Sequence, residues 1–230
     1  MLFRLQIIIM CGRFTQISSA ATISQAFKVS NVPPQQPRYN LAPTQPIAIV
    51  KLKKERQFTM LRWGLIPFWA KSVSIAAKLI NARAETVAEK PSFRSAFKQR
   101  RCLIVADGFY EWQKQNNQKQ PFYILMKDEQ PFAFAGLWEQ WQKSDKEVIE
   151  SCTLLTTDAN ELMKPIHQRM PVILAPEDYD LWLDTEVKEA SKLQPLLKPY
   201  NSESMTAYPV STQVNNPRND TPECIEKIED

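Results

Sequence analysis

Cys11 follows a methionine directly and is followed by Gly12, Arg13 and Phe14. If translation starts at Met10, an aminopeptidase removes that methionine because the next side chain is small. Cys11 then carries a free α-amine (pKa about 7.7–8.0) beside a thiol (pKa about 8.5). With an aldehyde such a pair forms a Schiff base and then closes a five-membered thiazolidine. Three further polar residues stand in unusual contexts: Glu111 among the rings of Phe109, Tyr110 and Trp112; His167, the single histidine of the chain, two residues before Arg169; and Asn81 at the head of Asn81-Ala82-Arg83. Burial among rings would raise the pKa of Glu111 and suit it to proton transfer near neutral pH. Each residue also has a plain structural reading. Cys11 fits a small buried hydrophobe, Glu111 a water-facing edge-strand residue, His167 a packed or solvated side chain, and Asn81 a cap or turn.

The elements that must position these residues are short and irregularly ordered. Ser18 to Lys28 places Ile23 and Phe27 four apart and predicts an amphipathic helix. Asn31 to Pro46 holds five of the 17 prolines and predicts an extended, turn-rich loop around Tyr39-Asn40-Leu41-Ala42-Pro43. Strands are expected at Ile47–Leu52 and Gln57–Leu65, followed by the aromatic-rich loop Trp63 to Trp69. The pattern then turns helical from Ala76, centred on 81–86, with a second helix from Pro91 to Arg100. Further strands are expected at Arg101–Ala106, Phe122–Met126, Phe132–Trp138 and Glu147–Thr156. A capped short helix after Asp158 must end at Pro165, two more helices follow at Pro176–Leu183 and Val187–Leu197, and a last strand and loop run from Tyr208. Without β-α-β alternation the order predicts a single α+β domain.

Composition narrows the partners. The 230 residues carry 29 basic and 25 acidic side chains, a net charge of +4, which announces no polyanion by itself. Four cysteines at 11, 102, 152 and 224 form no metal-binding spacing, so no metal or cofactor is expected, and scattered thiols suit a reducing cytoplasm. Residues 1–9 read as a leader or a start-site extension. Their apolar run is too short for a signal peptide, and nothing reaches the ~20 apolar residues of a membrane span. A monomer is expected.

Eight motifs then occur in order: Cys-Gly-Arg-Phe at 11–14, Tyr-Asn-x-Ala-Pro at 39–43, Trp-Gly-Leu-Ile-Pro at 63–67, Asn-Ala-Arg-Ala-Glu-Thr at 81–86, Gly-Phe-Tyr-Glu-Trp at 108–112, Leu-Thr-Thr-x-Ala at 155–159, His-x-Arg-Met-Pro at 167–171 and Val-Asn at 214–215. Together they resemble the SRAP family (SOS response-associated peptidase domain, abasic-site processing proteins), from residue 10 to about 225. The resemblance implies an α+β domain with a barrel-like, mostly antiparallel β core flanked by short helices. It implies abasic sites in single-stranded DNA as the target, a DNA-protein crosslink through Cys11, latent lyase chemistry, and a cytoplasmic, nucleoid-associated location in a bacterium. By the same resemblance Cys11 is the nucleophile, Asn81 orients the adduct, and Glu111 and His167 act as acids and bases. Arg13, Arg83 and Arg169 fall on backbone-binding positions, Asn40 lies in a DNA-contacting motif, and Trp63 with Pro43 forms a wall for a neighbouring base. The family name implies an alternative, a cysteine peptidase that removes its own leader.

Overall fold

The computed structural model describes residues 11–115, 118–144 and 147–229. The expected leader lies outside the described residues. Among the described residues thirteen strands follow in chain order: β1 (Phe14–Gln16), β2 (Arg38–Leu41), β3 (Pro46–Leu52), β4 (Arg56–Trp63), β5 (Asn81–Arg83), β6 (Arg101–Ala106), β7 (Gly108–Gln115), β8 (Gln118–Met126), β9 (Phe132–Ser144), β10 (Glu147–Asp158), β11 (Arg169–Pro171), β12 (Ile173–Leu174) and β13 (Met205–Pro209). The α-helices are short: α1 (Ala20–Phe27), α2 (Arg94–Gln99), α3 (Tyr179–Leu183) and α4 (Ala190–Leu193).

A five-strand ring forms the centre. β10 pairs with β4, β4 with β3, β3 with β6, β6 with β9, and β9 returns to β10. Only the β10–β4 step of the ring is parallel. A second sheet runs in the order β13-β8-β7-β1-β2. The α+β, barrel-centred fold implied by the resemblance is the fold observed.

Side-chain alternation explains why the ring strands read as unbroken apolar runs. In β6, Cys102, Ile104 and Ala106 join one cluster while Leu103 and Val105 join another on the opposite face. Ile47 and Ile49 alternate with Ala48 and Val50 in β3 in the same way. A strand covered on both faces has no reason to carry polar residues. The first cluster also holds Cys11, Phe14 and Phe109 and underlies the site; the second lies beneath the helices, where Ile23 and Phe27 of α1 are buried as the spacing predicts.

Three local expectations differ from the structure. Residues 81–83 form a strand, because the edge of β10 captures this backbone: Leu154 donates to Ile80 O at 3.3 Å and Ala84 donates to Thr156 O at 2.9 Å. Tertiary pairing thus overrides the helix propensity of an Ala-rich stretch. The segment after Asp158 makes hydrogen-bonded turns capped by Asn160 Oδ1, which accepts from the Met163 N–H at 3.0 Å, in place of a helix. Arg38–Leu41, expected as loop, is the edge strand β2, its N–H groups at Tyr39 and Asn40 satisfied by Asp220 Oδ1. Among the described residues no helix is long and apolar enough to cross a membrane.

Candidate active site

β1 is a three-residue strand held between β2 and β7, with Phe14 opposite Phe109 and Thr15 opposite Gly108. Gly108 is required here: a Cβ would come within 2.3 Å of the Tyr123 ring, whose hydroxyl sits 2.9 Å from Thr15 Oγ1. Just before β1 the chain turns through Cys11 in the left-handed region, with φ of 37°. That turn aims the Cys11 N–H back at β7, where Glu111 Oε1 accepts it at 2.6 Å.

Both partners are buried, Cys11 to 1% exposure and Glu111 to 2%. Burial pushes the Glu111 carboxyl up to about 8, against the pull of the Cys11 and Trp112 N–H groups, so near neutral pH it both holds and accepts protons. Burial, and then the Glu111 charge, push the Cys11 thiol well above its ordinary range. A thiol so placed stays protonated until a neighbouring group takes its proton. Glu111 therefore meets the nitrogen of Cys11 directly and acts on its thiol through charge.

His167 lies on a different element, in the loop that leads into β11. Its Nδ1 accepts the Arg169 backbone N–H at 3.1 Å, and the turn before it is tied to β7, where Gln113 Nε2 donates to Pro165 O at 3.0 Å. Asn81 opens β5 directly after Ile80, which packs in the same cluster as Cys11. The end of β10 collects the remaining pieces, with β5 and β11 both registered at Thr156. Arg83 stands exposed there and joins no ion pair among the described residues. Arg169 is occupied: Nη1 donates to Glu85 Oε1 and Asp158 Oδ1, both at 2.6 Å, and Nη2 to Glu85 Oε2 at 3.0 Å and Thr156 O at 2.8 Å.

Several expected DNA contacts take other positions. Trp63 is 0% exposed and its Nε1 donates to Ile80 O at 2.9 Å, so its ring is part of the core and offers no face to a base. Asn40 is fully buried, its amide donating to the carbonyls of Val214, Asn216 and Asn219 and anchoring the C-terminal loop. Arg13 donates to Asn40 Oδ1 at 2.9 Å, Val214 O at 2.6 Å and Asn215 O at 3.3 Å, so it braces the same loop two residues from Cys11. Pro43 is half-buried in the loop between β2 and β3. The exposed aromatics lie further along the Trp63 segment, at Phe68 (59%) and Trp69 (47%). Trp69 lines a groove with Lys71, Ser72, Ser74 and Lys78. Two adjacent rings after a proline, with lysines to follow, were the available signal in the sequence.

Comparison with known proteins bears out the family resemblance of the motifs. A family model, SOS response associated peptidase (SRAP), matches residues 10–217. The abasic site processing protein YoqW of Bacillus subtilis (strain 168) is 46% identical over 222 residues, spanning 94% of this chain and 99% of that protein. The abasic site processing protein HMCES of Xenopus tropicalis is 38% identical over 229 residues, spanning 84% of this chain and 67% of that protein. The crystal structure of a Bacteroides thetaiotaomicron protein superposes with a TM-score of 0.86 at 29% identity, covering 95% of this chain and all of that one. The chain belongs to the SOS response associated peptidase (SRAP) family.

Proposed function

We propose that this protein processes abasic sites in single-stranded DNA by bonding covalently to the sugar aldehyde through Cys11, once removal of Met10 has freed its amine. The observation that carries this reading is the 2.6 Å contact between the Cys11 nitrogen and the buried carboxyl of Glu111. With Met10 attached that nitrogen is an amide; with Met10 gone it is the α-amine, and Glu111 is placed to take its proton.

The steps balance as follows. The neutral amine adds to the aldehyde carbon, and the carbinolamine loses its hydroxyl as water with a proton from Glu111, leaving an iminium ion, the protonated imine, beside the Glu111 carboxylate. Glu111 then takes the thiol proton while the sulfur adds to the iminium carbon, and the nitrogen ends as the neutral N–H of the ring. One water is lost overall. Ring closure is intramolecular, where effective molarity reaches about 10⁵ M or more, so a thiol that is protonated at rest still traps the imine. Without the thiol the imine stays open to β-elimination, which is the latent lyase. His167 supplies a second acid/base on the sugar side, Asn81 orients the adduct, and Arg83 binds the strand backbone. The exposed pair Phe68 and Trp69, with Lys71 and Lys78, replaces Trp63 as the stacking platform, since aromatic stacking with neighbouring cations grips single strands regardless of sequence.

A thiol peptidase would need a standing thiolate. The high thiol pKa beside a carboxyl, in place of a cation, favours the aldehyde chemistry. The experiment is a denaturing gel after mixing protein started at Met10 with single-stranded DNA carrying one abasic site. A heat-stable shifted band is expected from that form and none from Cys11→Ala or from protein with an acetylated N-terminus. A band from the acetylated form would remove the amine from the mechanism.

A further inference from the structure

β7 carries a polar ladder that the chemistry above uses only at its first rung. Glu111, Gln113 and Gln115 alternate along the strand and so share one face. Glu111 accepts the Cys11 N–H. Gln113 donates through Nε2 to Pro165 O at 3.0 Å, and Gln115 Nε2 donates to Gln113 Oε1, fixing which way the Gln113 amide points. The opposite face of the strand is committed elsewhere: the Tyr110 hydroxyl donates to Tyr39 O at 2.7 Å, and Trp112 Nε1 to Asn215 Oδ1 at 2.7 Å.

Pro165 O is a carbonyl of the turn that delivers His167. That turn is held at its base by the Met163 and Lys164 N–H groups on Asn160 O and by the His167 N–H on Met163 O. Proline has no N–H of its own to anchor the crest. Among the described residues the Gln113 amide is the side-chain contact that ties this crest to the strand bearing Glu111. Beyond it, the backbone N–H of Arg169 caps His167 Nδ1, which sets the direction of the opposite ring nitrogen.

We infer that Gln113 is a positioning residue: its amide fixes the distance between the His167 turn and the Glu111 strand, and thereby aligns the two acid/base groups on one substrate. The inference rests on the acid/base role proposed above for His167. A displaced general acid loses much of its contribution while the strand-binding surface is untouched.

The test separates the donor from the bulk of the side chain. Gln113→Glu keeps the shape and removes the N–H; Gln113→Lys restores a donor of similar reach. Each is made alone and with His167→Ala in protein started at Met10, and the single-turnover crosslinking rate is measured from pH 5 to 9, beside affinity for single-stranded DNA without a lesion. Gln113→Glu is expected to slow crosslinking roughly tenfold and to flatten the alkaline limb of the pH profile, the limb that a general acid sets. Affinity for undamaged strand and thermal stability should hold, Gln113→Lys should recover most of the rate, and Gln113→Glu should add nothing to His167→Ala. Multiplying effects in the double variant, or no effect of Gln113→Glu where His167→Ala slows the reaction, would overturn the inference. Unchanged rate in His167→Ala itself would instead overturn the role given to His167.

Discussion

The Cys11–Glu111 pair and the Arg169–Glu85–Asp158 group are both constellations of ionisable residues, yet they are built in opposite ways. The first is dry, with one hydrogen bond between two nearly inaccessible residues and a carboxyl driven up to about 8 by burial. The second sits at the rim, where a guanidinium is shared by two carboxylates that face solvent. A buried carboxyl changes its protonation readily and is suited to moving protons, whereas a solvated ion pair is worth at most about 1 kcal/mol and holds geometry. Under the proposed function, chemistry is concentrated where water is excluded, and strand grip falls to the wet margin around Arg83, Trp69 and Lys71.

The largest effect that separates the two regions is expected from Glu111→Gln. It should slow crosslinking by about 10²–10⁴, the range of a lost acid/base group, with affinity for undamaged single strands retained. Equal loss of both would point to misfolding. The same substitution has a stability signature in protein whose Cys11 nitrogen is still an amide. The folded pKa of Glu111 lies above its unfolded value, so its neutral form stabilises fully below about 4.5, and that contribution is lost as pH rises to about 8. The wild type should lose on the order of 1.4 kcal/mol per pH unit across this window relative to Glu111→Gln, as read by denaturant unfolding at several pH values. Parallel curves would contradict the buried-carboxyl account.

At the rim the effects are smaller. Trp69→Ala should weaken single-strand binding by about 1–3 kcal/mol, one stacked base, whereas Trp63→Ala should show itself as lost stability because that ring is in the core. Arg83→Ala should reduce the slope of log affinity against log salt by roughly one unit. Arg169→Ala is expected to change that slope less than Arg83→Ala, because its charge is already balanced by Glu85 and Asp158; an equal or larger change would show that the strand displaces those carboxylates.

Much of the fold was legible in the sequence where the physics is local. The 101–106 run reads as a doubly covered strand, Ile23 and Phe27 mark a helix face, and charged residues at 53–56 separate two apolar strands. β5 was not legible, since its partner on β10 lies about 70 residues away and only the pairing decides against a helix. Of the candidate site, Cys11 and Glu111 were identifiable as chemistry-bearing residues, but their contact joins positions 100 apart and no spacing encodes it. Motif resemblance supplied residue identities without depth, which is why Trp63 and Asn40 read as DNA contacts although both are buried. The Gln113 link to Pro165 had only the two-residue alternation Glu111, Gln113, Gln115 as its trace.

The central claim is that both the nitrogen and the sulfur of Cys11 enter the bond to the abasic sugar. Intact mass of the adduct, formed from Met10-started protein with and without borohydride, tests it most directly. The account predicts a mass equal to protein plus DNA less one water, unchanged by borohydride, with Cys11 closed to alkylation. An adduct that forms only when hydride is present, or one that leaves the Cys11 thiol free to alkylate, would contradict it.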